Sequence, residues 1–299
     1  MSNNILKYTK HVAFLLILAG SFFSCEKEDY NPEKFRLVKI LHYAKSTDSQ
    51  PKDGVERSFD EAGNLARESF YKYSPTVDLY MYNEYEYSGS KKMKMNLFDK
   101  ENDIFKLSRS IDFFYENDRL IKEEFKRNNG TLLTSTNYEY QGGNLIREYC
   151  YEPDYGIFDE VKYTYDSQNR LTLEEIETSD VKASKYTKYI YDNDGRKKKL
   201  EYYNLNWELI RSVEMIYNGR SKLPVKDVHY DKNGVQTLQY LHYYDKRGNL
   251  TETCLENGCS LFKRKYNGGL LIEEIHYFDP VKQKECLEKG MTRYEYQKL

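Results

Sequence analysis

The stretch YTYDSQNRLTLEEI, residues 163–176, contains the pattern that decides the fold. Two aromatic residues alternate with a polar one, a turn-forming cluster follows, and a run that carries Leu and Glu completes the pattern. The pattern recurs about every 26 residues to the C-terminus. Its second aromatic falls at Phe59, Tyr87, Tyr115, Tyr140, Tyr165, Tyr191, Tyr217, Tyr244, Tyr266 and Tyr296. A fixed period of this length indicates a repeat architecture.

Each repeat is predicted to form two strands joined by a tight turn. Tyr163 and Tyr165 show the period of two that is typical of a strand. In the next repeat the turn contains Gly195, which supplies the positive φ that hairpin turns need. The return run of the first repeat starts with Leu171 and places Glu174 three residues later. Two strands per repeat give roughly twenty antiparallel strands.

The composition indicates how these strands are arranged. Tyr accounts for 31 residues and charged residues for 31% of the chain. Aliphatic side chains are therefore too few to fill a core between two sheets. In residues 145–151 one strand face carries Leu, Arg and two Tyr, and the other carries Ile, Glu and Cys. We therefore expect an all-β fold, a long antiparallel meander that is largely single-layered and twisted or partly spiral.

The consensus YxYDxxGNLxxE resembles the YD repeat of the RHS family, and the resemblance extends over residues 35–299. The copies at 163–174, 189–200 and 243–252 are the nearest to it, and those near Tyr87 and Tyr217 are degenerate. The resemblance implies a strand-pair architecture and a loose link to cell-surface binding. Large RHS proteins wind such strands into a hollow shell around a C-terminal toxin or effector. We expect no such cargo here, because this chain is too short to enclose a domain and its repeats run to the last residue.

Residues 1–24 form a predicted lipoprotein signal peptide. Two lysines precede an apolar stretch that is too short to cross a bilayer as a helix. The stretch ends in Ser24-Cys25, which resembles the lipobox of bacterial lipoproteins. We therefore predict that residues 1–24 are removed and that Cys25 carries the lipid that anchors the protein to the membrane. The alternative is a secretory signal that is cut elsewhere, with Cys25 an ordinary thiol.

The residues that follow the signal peptide predict where in the cell envelope the protein lies. Residues 25–34 are polar and charged, so we expect a flexible tether. Lys27, Glu28 and Asp29 resemble the export tag of lipoproteins that are displayed on the outer face of some outer membranes. The alternative is a solvated tether without a signal. We expect a lipid-anchored protein of the outer membrane that faces the cell exterior.

The charge balance argues against nucleic acid as a partner. The chain has 46 basic and 48 acidic residues, and removal of residues 1–24 takes two lysines and no acid. The mature chain then has 44 basic and 48 acidic residues and a net charge of −4. We therefore expect no nucleic-acid binding and no electrostatic attraction to anionic membranes.

The sequence lacks the patterns of catalytic and metal sites. It contains no nucleophile elbow, phosphate loop or zinc motif. Four of its five histidines directly precede a tyrosine and are scattered along the chain without metal-ligand spacing: His42, His229, His242 and His276. The recurrent Glu residues are explained by the repeat, which sets them in a regular ladder. We therefore expect no enzyme activity, no metal and no cofactor.

Two further features are candidate sites. Trp207, the single tryptophan, lies in a link outside the repeating strand positions and is a candidate ligand-binding residue. Its alternative role is to pack on a local turn. Cys254 and Cys259 would face each other across a four-residue hairpin loop and form a disulfide in an oxidising compartment. With a two-residue Asn-Gly turn they would be diagonal and too far apart. Cys150 and Cys286 have no assigned partner.

Three functions follow from these features. The first is a binding or scaffolding surface on a lipid-anchored protein, whose partner is a glycan or another surface protein. The second is a glycan-binding accessory lipoprotein, which predicts exposed aromatic residues grouped on one face or edge. The third is a degradative enzyme, which requires carboxylates or histidines that break the repeat pattern in one cleft. We favour the first.

Overall fold

The protein is described by a computed structural model that covers residues 35–73, 75–180, 183–256, 258, 260–278 and 287–298. All of them belong to the second of two units into which the chain divides, Glu33–Leu299. Each regular element in these residues is a β-strand. None of the described segments forms a helix that is long and apolar enough to cross a membrane.

Twenty strands follow one another along the described residues. The first ten are β1 (Phe35–Tyr43), β2 (Asp53–Phe59), β3 (Leu65–Lys72), β4 (Asp78–Ser88), β5 (Lys91–Glu101), β6 (Ile104–Glu116), β7 (Arg119–Arg127), β8 (Leu132–Gln141), β9 (Asn144–Glu152) and β10 (Gly156–Tyr165). The others are β11 (Leu171–Thr178), β12 (Lys185–Tyr191), β13 (Lys197–Tyr203), β14 (Leu209–Tyr217), β15 (Pro224–Asp231), β16 (Gln236–Tyr244), β17 (Leu250–Leu255), β18 (Ser260–Asn267), β19 (Leu270–Phe278) and β20 (Leu287–Lys298). The prediction of an all-β fold with about twenty antiparallel strands is confirmed.

The strands form one closed sheet. Each strand pairs antiparallel with the next along the chain, and β20 pairs antiparallel with β1. In that last pairing Leu41 opposes Arg293 and Tyr43 opposes Met291. The sheet is therefore a closed barrel, and the expected open meander, twisted or partly spiral, is wrong in this respect.

A recurrent β-bulge explains the closure. In the pairing of β10 with β11, Thr164 opposes Leu173 but Tyr165 opposes Leu171, so Thr172 is an extra residue. The same register shift precedes the second aromatic of eight other repeats: Phe59, Tyr87, Tyr115, Tyr140, Tyr191, Tyr217, Tyr244 and Tyr266. A bulge bends its strand and increases the local twist. Eight of the pairings that turn at the variable end also carry a register shift, for example between Tyr202 and Tyr203. Bulges near both ends of the strands therefore bend and twist the sheet, which favours closure.

The seam between β1 and β20 is held by apolar side chains. Leu41, Tyr43 and Met291 form a buried cluster, in which Met291 is 2% exposed, and Ile275 and Tyr73 pack against it. An open sheet would leave unpaired backbone groups on both edge strands. Closure pairs these groups and buries the cluster.

The barrel has two ends with different connections. We call the end where strands turn after the second aromatic the repeat end, and the opposite end the variable end. Connections at the repeat end are short, such as 142–143 and 166–170. Connections at the variable end run from the two residues 102–103 to the nine residues 44–52. Phe35, the first residue of β1, lies at the repeat end.

Candidate functional site

The two faces of the sheet differ in solvation. Neighbouring residues on β7 show the contrast, because Glu123 and Glu124 point to opposite faces. Burial raises the pKa of Glu123 above its ordinary value. Hydrogen bonds from Lys122 and Lys126 hold the pKa of Glu124 below its ordinary value. We call the faces of Glu123 and Glu124 the inner and outer face, because side chains converge and lose water on the concave side of a curved sheet.

The exposed apolar residues of the strands agree with this assignment. Phe114, Tyr151, Ile216 and Tyr243 are exposed, and the strand registers place all four on the outer face. A ring of twenty strands is wider than the eight-stranded barrels whose side chains fill their own interior. The inner face is therefore not a compact core.

The second aromatic of the repeat ties neighbouring strands together. The Tyr191 hydroxyl donates to the Leu171 carbonyl oxygen at 2.8 Å. Equivalent hydrogen bonds join Tyr140 to Leu120, Tyr165 to Leu145, Tyr217 to Lys197, Tyr244 to Pro224, Tyr266 to Leu250 and Tyr296 to Leu271. We call these bonds the tyrosine clamps. They lie close to the repeat end and give these tyrosines a structural role.

The Asp of the repeat organises its turn. Asp192 Oδ1 accepts hydrogen bonds from the backbone N–H groups of Asp194 at 3.0 Å and Arg196 at 2.9 Å. The Gly195 N–H donates to the Asp192 carbonyl at 3.1 Å, with Gly195 at a φ of 77°. Arg196 also donates to the carbonyls of Gly219 and Ser221 in the next turn of the repeat end. The consensus Asp and Gly are thus explained by turn geometry.

The recurrent Glu residues accept hydrogen bonds from the first aromatic on the inner face. The Tyr189 hydroxyl donates to Glu174 at 3.2 Å, and the Tyr138 hydroxyl donates to Glu123 at 3.3 Å. Burial and the charge of Glu123 raise the pKa of Glu148 to about 7. The inner wall is therefore a ladder of poorly solvated tyrosine and carboxyl groups, and the repeat accounts for its regularity.

One group of side chains resembles a catalytic arrangement. His242 Nδ1 lies 3.0 Å from Thr253 Oγ1, and His242 Nε2 lies 3.0 Å from Asp227 Oδ2 without hydrogen-bond geometry. The same His–Thr contact recurs at 3.1 Å between His42 and Thr292. Both pairs are direct partners across neighbouring strands, and both threonines are buried. The recurrence indicates cross-strand pairing rather than a nucleophile with its base.

Trp207 lies in a turn at the variable end, outside the strands. The turn has the hydrogen-bond pattern of the Asp turns, because Asn204 Oδ1 accepts from the N–H groups of Asn206 at 2.9 Å and Glu208 at 3.0 Å. Trp207 occupies the position with positive φ, at 60°, and its N–H donates to the Asn204 carbonyl.

The Trp207 ring contacts two tyrosines. Its centroid lies 4.6 Å from that of Tyr186 and 5.7 Å from that of Tyr203. Tyr186 is 8% exposed, whereas Trp207 is 50% exposed. We call these three residues the Trp207 platform. The sequence did not reveal the two tyrosines, because they occupy ordinary strand positions, although Trp at a Gly position of the turn was a usable signal.

Other candidate features do not form a site. A shallow cavity at the repeat end is lined by Arg119, Tyr138 and Tyr140, among others. Both tyrosine hydroxyls already bond to Glu123 and Leu120. Within the described part of the chain, no three His, Cys, Asp or Glu side chains are placed to hold a metal ion.

Several predicted site residues lie outside the described residues: Cys25, Lys27, Glu28, Asp29, Cys259 and Cys286. Lipidation, the export tag and the pairing of Cys254 with Cys259 therefore stay predictions. Cys254 is buried, with its Sγ 3.9 Å from Ser260 Oγ. Cys150 lies on the inner face, where burial raises the pKa of its thiol to about 11.

Comparisons with known proteins concern the fold. No protein-family model and no curated protein matches the chain. The crystal structure of TcdB2-TccC3-Cdc42 is similar to it with a TM-score of 0.50 and 17% identity, over 81% of this chain and 13% of that chain. A structure of TcdB2-TccC3 gives a TM-score of 0.49 and 17% identity over 82% and 14%. A porin-like protein from Bacteroides uniformis gives a TM-score of 0.33 and 8% identity over 89% and 98%.

The chain thus spans about an eighth of the length of the TcdB2-TccC3-Cdc42 chain that it resembles. At 17% identity this likeness concerns the fold alone. The porin-like match has too low a TM-score to support an argument. The chain is an antiparallel β protein with a tyrosine-rich repeat, whose fold is similar to part of TcdB2-TccC3-Cdc42.

Proposed function

We propose that this chain is a lipid-anchored YD-repeat protein of the outer membrane that faces the cell exterior and acts as a binding or scaffolding surface, without catalytic chemistry. The YD assignment is supported by the roles of the consensus residues. The Asp and Gly form the turn, and the second Tyr forms the clamp. A consensus in which each residue has a structural role leaves ligand binding to the residues that depart from it.

The observation that carries this proposal is the contrast between the barrel ends. Large apolar side chains are exposed in four connections of the variable end: Val77, Tyr155, Trp207 and Val235. Within the described residues, the connections of the repeat end expose none, and the exposed apolar residues near that end, such as Phe114 and Tyr243, lie in strands. Exposed apolar groups on one edge are typical of an interaction site.

A lipid on Cys25 would join the barrel through residues 25–34 at Phe35, the first residue of β1. The ten residues 25–34 span at most about 35 Å when extended. The tether therefore limits the distance between Phe35 and the anchoring membrane.

Anchoring is tested by fatty-acid labelling of the full-length protein. The wild type should incorporate label, and Cys25→Ala should not. Equal label on both proteins would contradict lipidation at Cys25.

Display is tested with a membrane-impermeant maleimide on intact cells. We expect Tyr155→Cys at the variable end and Ser167→Cys at the repeat end to react. The wild type measures the background from native cysteines. Replacement of residues 27–29 by alanine should abolish the reaction. If neither introduced cysteine reacts until the cells are lysed, the protein does not face the exterior.

A second candidate function, a glycan-binding accessory lipoprotein, is favoured by one observation. It predicts exposed aromatic residues grouped on one face or edge. Tyr151, Tyr155 and Trp207 are exposed at or near the variable end, and Trp207 contacts two further tyrosines, whereas Phe114 and Tyr243 are exposed nearer the repeat end. Such grouping is not required for a purely structural repeat.

A further inference from the structure

Trp207 is an unusual residue type for the backbone conformation that it adopts. Six other connections share its backbone hydrogen-bond pattern, and the residue at the position of Trp207 has positive φ in each: Gly63, Gly130, Asn169, Gly195, Gly234 and Gly248. These are the residue types that adopt this conformation with least strain. A tryptophan is among the least suited, since its bulky side chain strains this conformation. An outlier of this kind that the surrounding structure maintains points to a function.

The side chain of Trp207 is held in a fixed position. The turn fixes its backbone through the hydrogen bonds to Asn204, and Tyr186 and Tyr203 support its ring from the barrel wall. Tyr186 and Tyr203 are direct partners across β12 and β13 on the outer face. Half of the tryptophan surface nevertheless stays in solvent. A rigid, exposed aromatic surface binds a flat apolar group with little loss of conformational entropy.

Four carboxylates lie at the margin of the platform. Glu175 opposes Tyr186 across the sheet, and Glu177 lies two residues further along the same strand. Glu201 accepts a hydrogen bond from the Tyr203 hydroxyl at 2.7 Å, and Glu208 directly follows Trp207.

Cations also lie near this margin. Lys188 opposes Glu201 across β12 and β13, and Lys199 pairs with Glu201 at 3.0 Å. Lys162 opposes Glu175 across β10 and β11 and also lies near Tyr186. These four glutamates and three lysines leave the margin with a small net negative charge. Carboxylates accept hydrogen bonds from hydroxyl groups and repel anionic ligands.

We propose that the Trp207 platform is a binding site for neutral glycans, in which the apolar face of a pyranose ring stacks on the exposed indole and its hydroxyl groups donate to the neighbouring carboxylates. A sugar ring has an apolar face of C–H groups and a rim of hydroxyls, which match the indole and the acidic margin. This inference rests on the proposed binding function and names the ligand class of one site. A protein partner would be a different class of ligand and is an outcome of the test.

The test is affinity gel electrophoresis of the full-length protein in mild detergent. Gels contain a neutral polysaccharide (amylopectin, galactomannan or xyloglucan) or the anionic polygalacturonate. We expect at least one neutral polysaccharide to retard the wild type and polygalacturonate not to. Trp207→Gly should weaken the retardation at least tenfold and change the melting temperature by no more than a few degrees, because glycine suits the turn and offsets the lost ring contacts. The control is Tyr243→Ala, which removes an equally exposed aromatic elsewhere on the outer face and should leave retardation unchanged.

Three results would overturn the proposal. They are no retardation by any of the neutral polysaccharides, equal retardation of Trp207→Gly and the wild type, and retardation by polygalacturonate as strong as by a neutral polymer. The first result, in a protein that carries lipid and reacts at Tyr155→Cys on intact cells, would leave the proposed surface function standing and direct attention to a protein partner. Absence of lipid and of surface reactivity would instead refute the proposed function, whatever the gels show.

Discussion

The two ends of the barrel are built from the same strands but from different kinds of residue. At the repeat end, Asp turns and tyrosine clamps recur, and Arg196 joins one turn to the next. At the variable end, the turn at Asp231 keeps the Asp and Gly of the repeat end, whereas the turn around Asn204 carries Trp207 where the repeat end has Gly195. We conclude that the consensus residues stabilise the barrel, whereas departures from the consensus mark the surface that is available for binding.

The largest expected effect comes from removing four tyrosine clamps together. Each hydroxyl contributes about 1 kcal/mol as a neutral hydrogen bond. Replacement of Tyr165, Tyr191, Tyr217 and Tyr244 by phenylalanine should therefore lower the free energy of unfolding by about 4 kcal/mol, if the four effects add. Urea denaturation measures the loss. The control is Tyr155→Phe at the variable end, which should change stability by less than about 0.5 kcal/mol. A quadruple variant as stable as the wild type would show that the clamps do not hold the barrel.

The second prediction, with a slightly smaller effect on stability, concerns Glu148 on the inner face. The pKa of Glu148 is about 7 in the folded protein, against an ordinary value of 4.5. The unfolded chain therefore loses this proton at lower pH than the folded chain. Stability falls as the pH rises through this window, by up to about 3 kcal/mol. Glu148→Gln should stabilise the protein by up to that amount at pH 8 and have little effect at pH 4.

Thermal melts at both pH values measure this difference. The matched control is Glu124→Gln on the outer face. The pKa of Glu124 is lowered by its lysine partners, so its charge contributes stability above its ordinary pKa. Its replacement should not stabilise the protein at pH 8. A Glu148→Gln variant with the same change at both pH values would refute the poorly solvated inner face.

A third prediction compares the same turn at both ends. Asp192→Ala removes the acceptor of two backbone N–H groups and the partner of Arg196, so we expect a cost of about 2 kcal/mol. Asn204→Ala removes the same backbone acceptor and an exposed hydrogen bond to Glu208, which contributes little in water, and should cost about 1 kcal/mol. Guanidinium denaturation of the two variants measures the difference. If Asn204→Ala lowered the free energy of unfolding more than Asp192→Ala, the repeat-end turn would not be the more stabilising of the two.

The smallest effects come from exchanging residues at the positive-φ position. Gly195→Trp should cost about 1–2 kcal/mol, because a side chain strains this conformation. In Trp207→Gly, relief of similar strain offsets the loss of ring contacts worth about 0.5–1.5 kcal/mol each. Its net change should therefore stay within about 1 kcal/mol of zero. Differential scanning calorimetry compares the two variants. A strongly destabilised Trp207→Gly would make the tryptophan a structural residue rather than an exposed binding surface.

The sequence predicted the strands because their signal is local. Alternating aromatics such as Tyr163 and Tyr165, with a turn residue such as Gly195, define a hairpin without knowledge of the rest of the chain. Closure was not predicted, because it depends on where an extra residue falls in the register. The extra residue is Thr172 in one repeat and Ala66 in another, so no residue type in the sequence marks the position of the bulge.

The sequence predicted one residue of the candidate site and missed the other two. Trp207 is conspicuous as the single tryptophan, and its exposure in a turn agrees with the sequence. Tyr186 and Tyr203 could not be distinguished among 31 tyrosines, because only the pairing of β12 with β13 brings them under one ring. The asymmetry of the ends likewise appears only when the connections are assembled around the barrel.

The central claim is that β1 and β20 close the sheet and thereby give the protein two distinct ends. Hydrogen–deuterium exchange of the full-length protein tests it most directly, because an amide in a paired strand exchanges slowly. The closed barrel predicts that peptides from Phe35–Tyr43 and Leu287–Lys298 are as protected as those from the interior strands Lys185–Tyr191 and Lys197–Tyr203. Rapid exchange of both terminal strands, with protection of the interior ones, would show an open sheet and contradict the account.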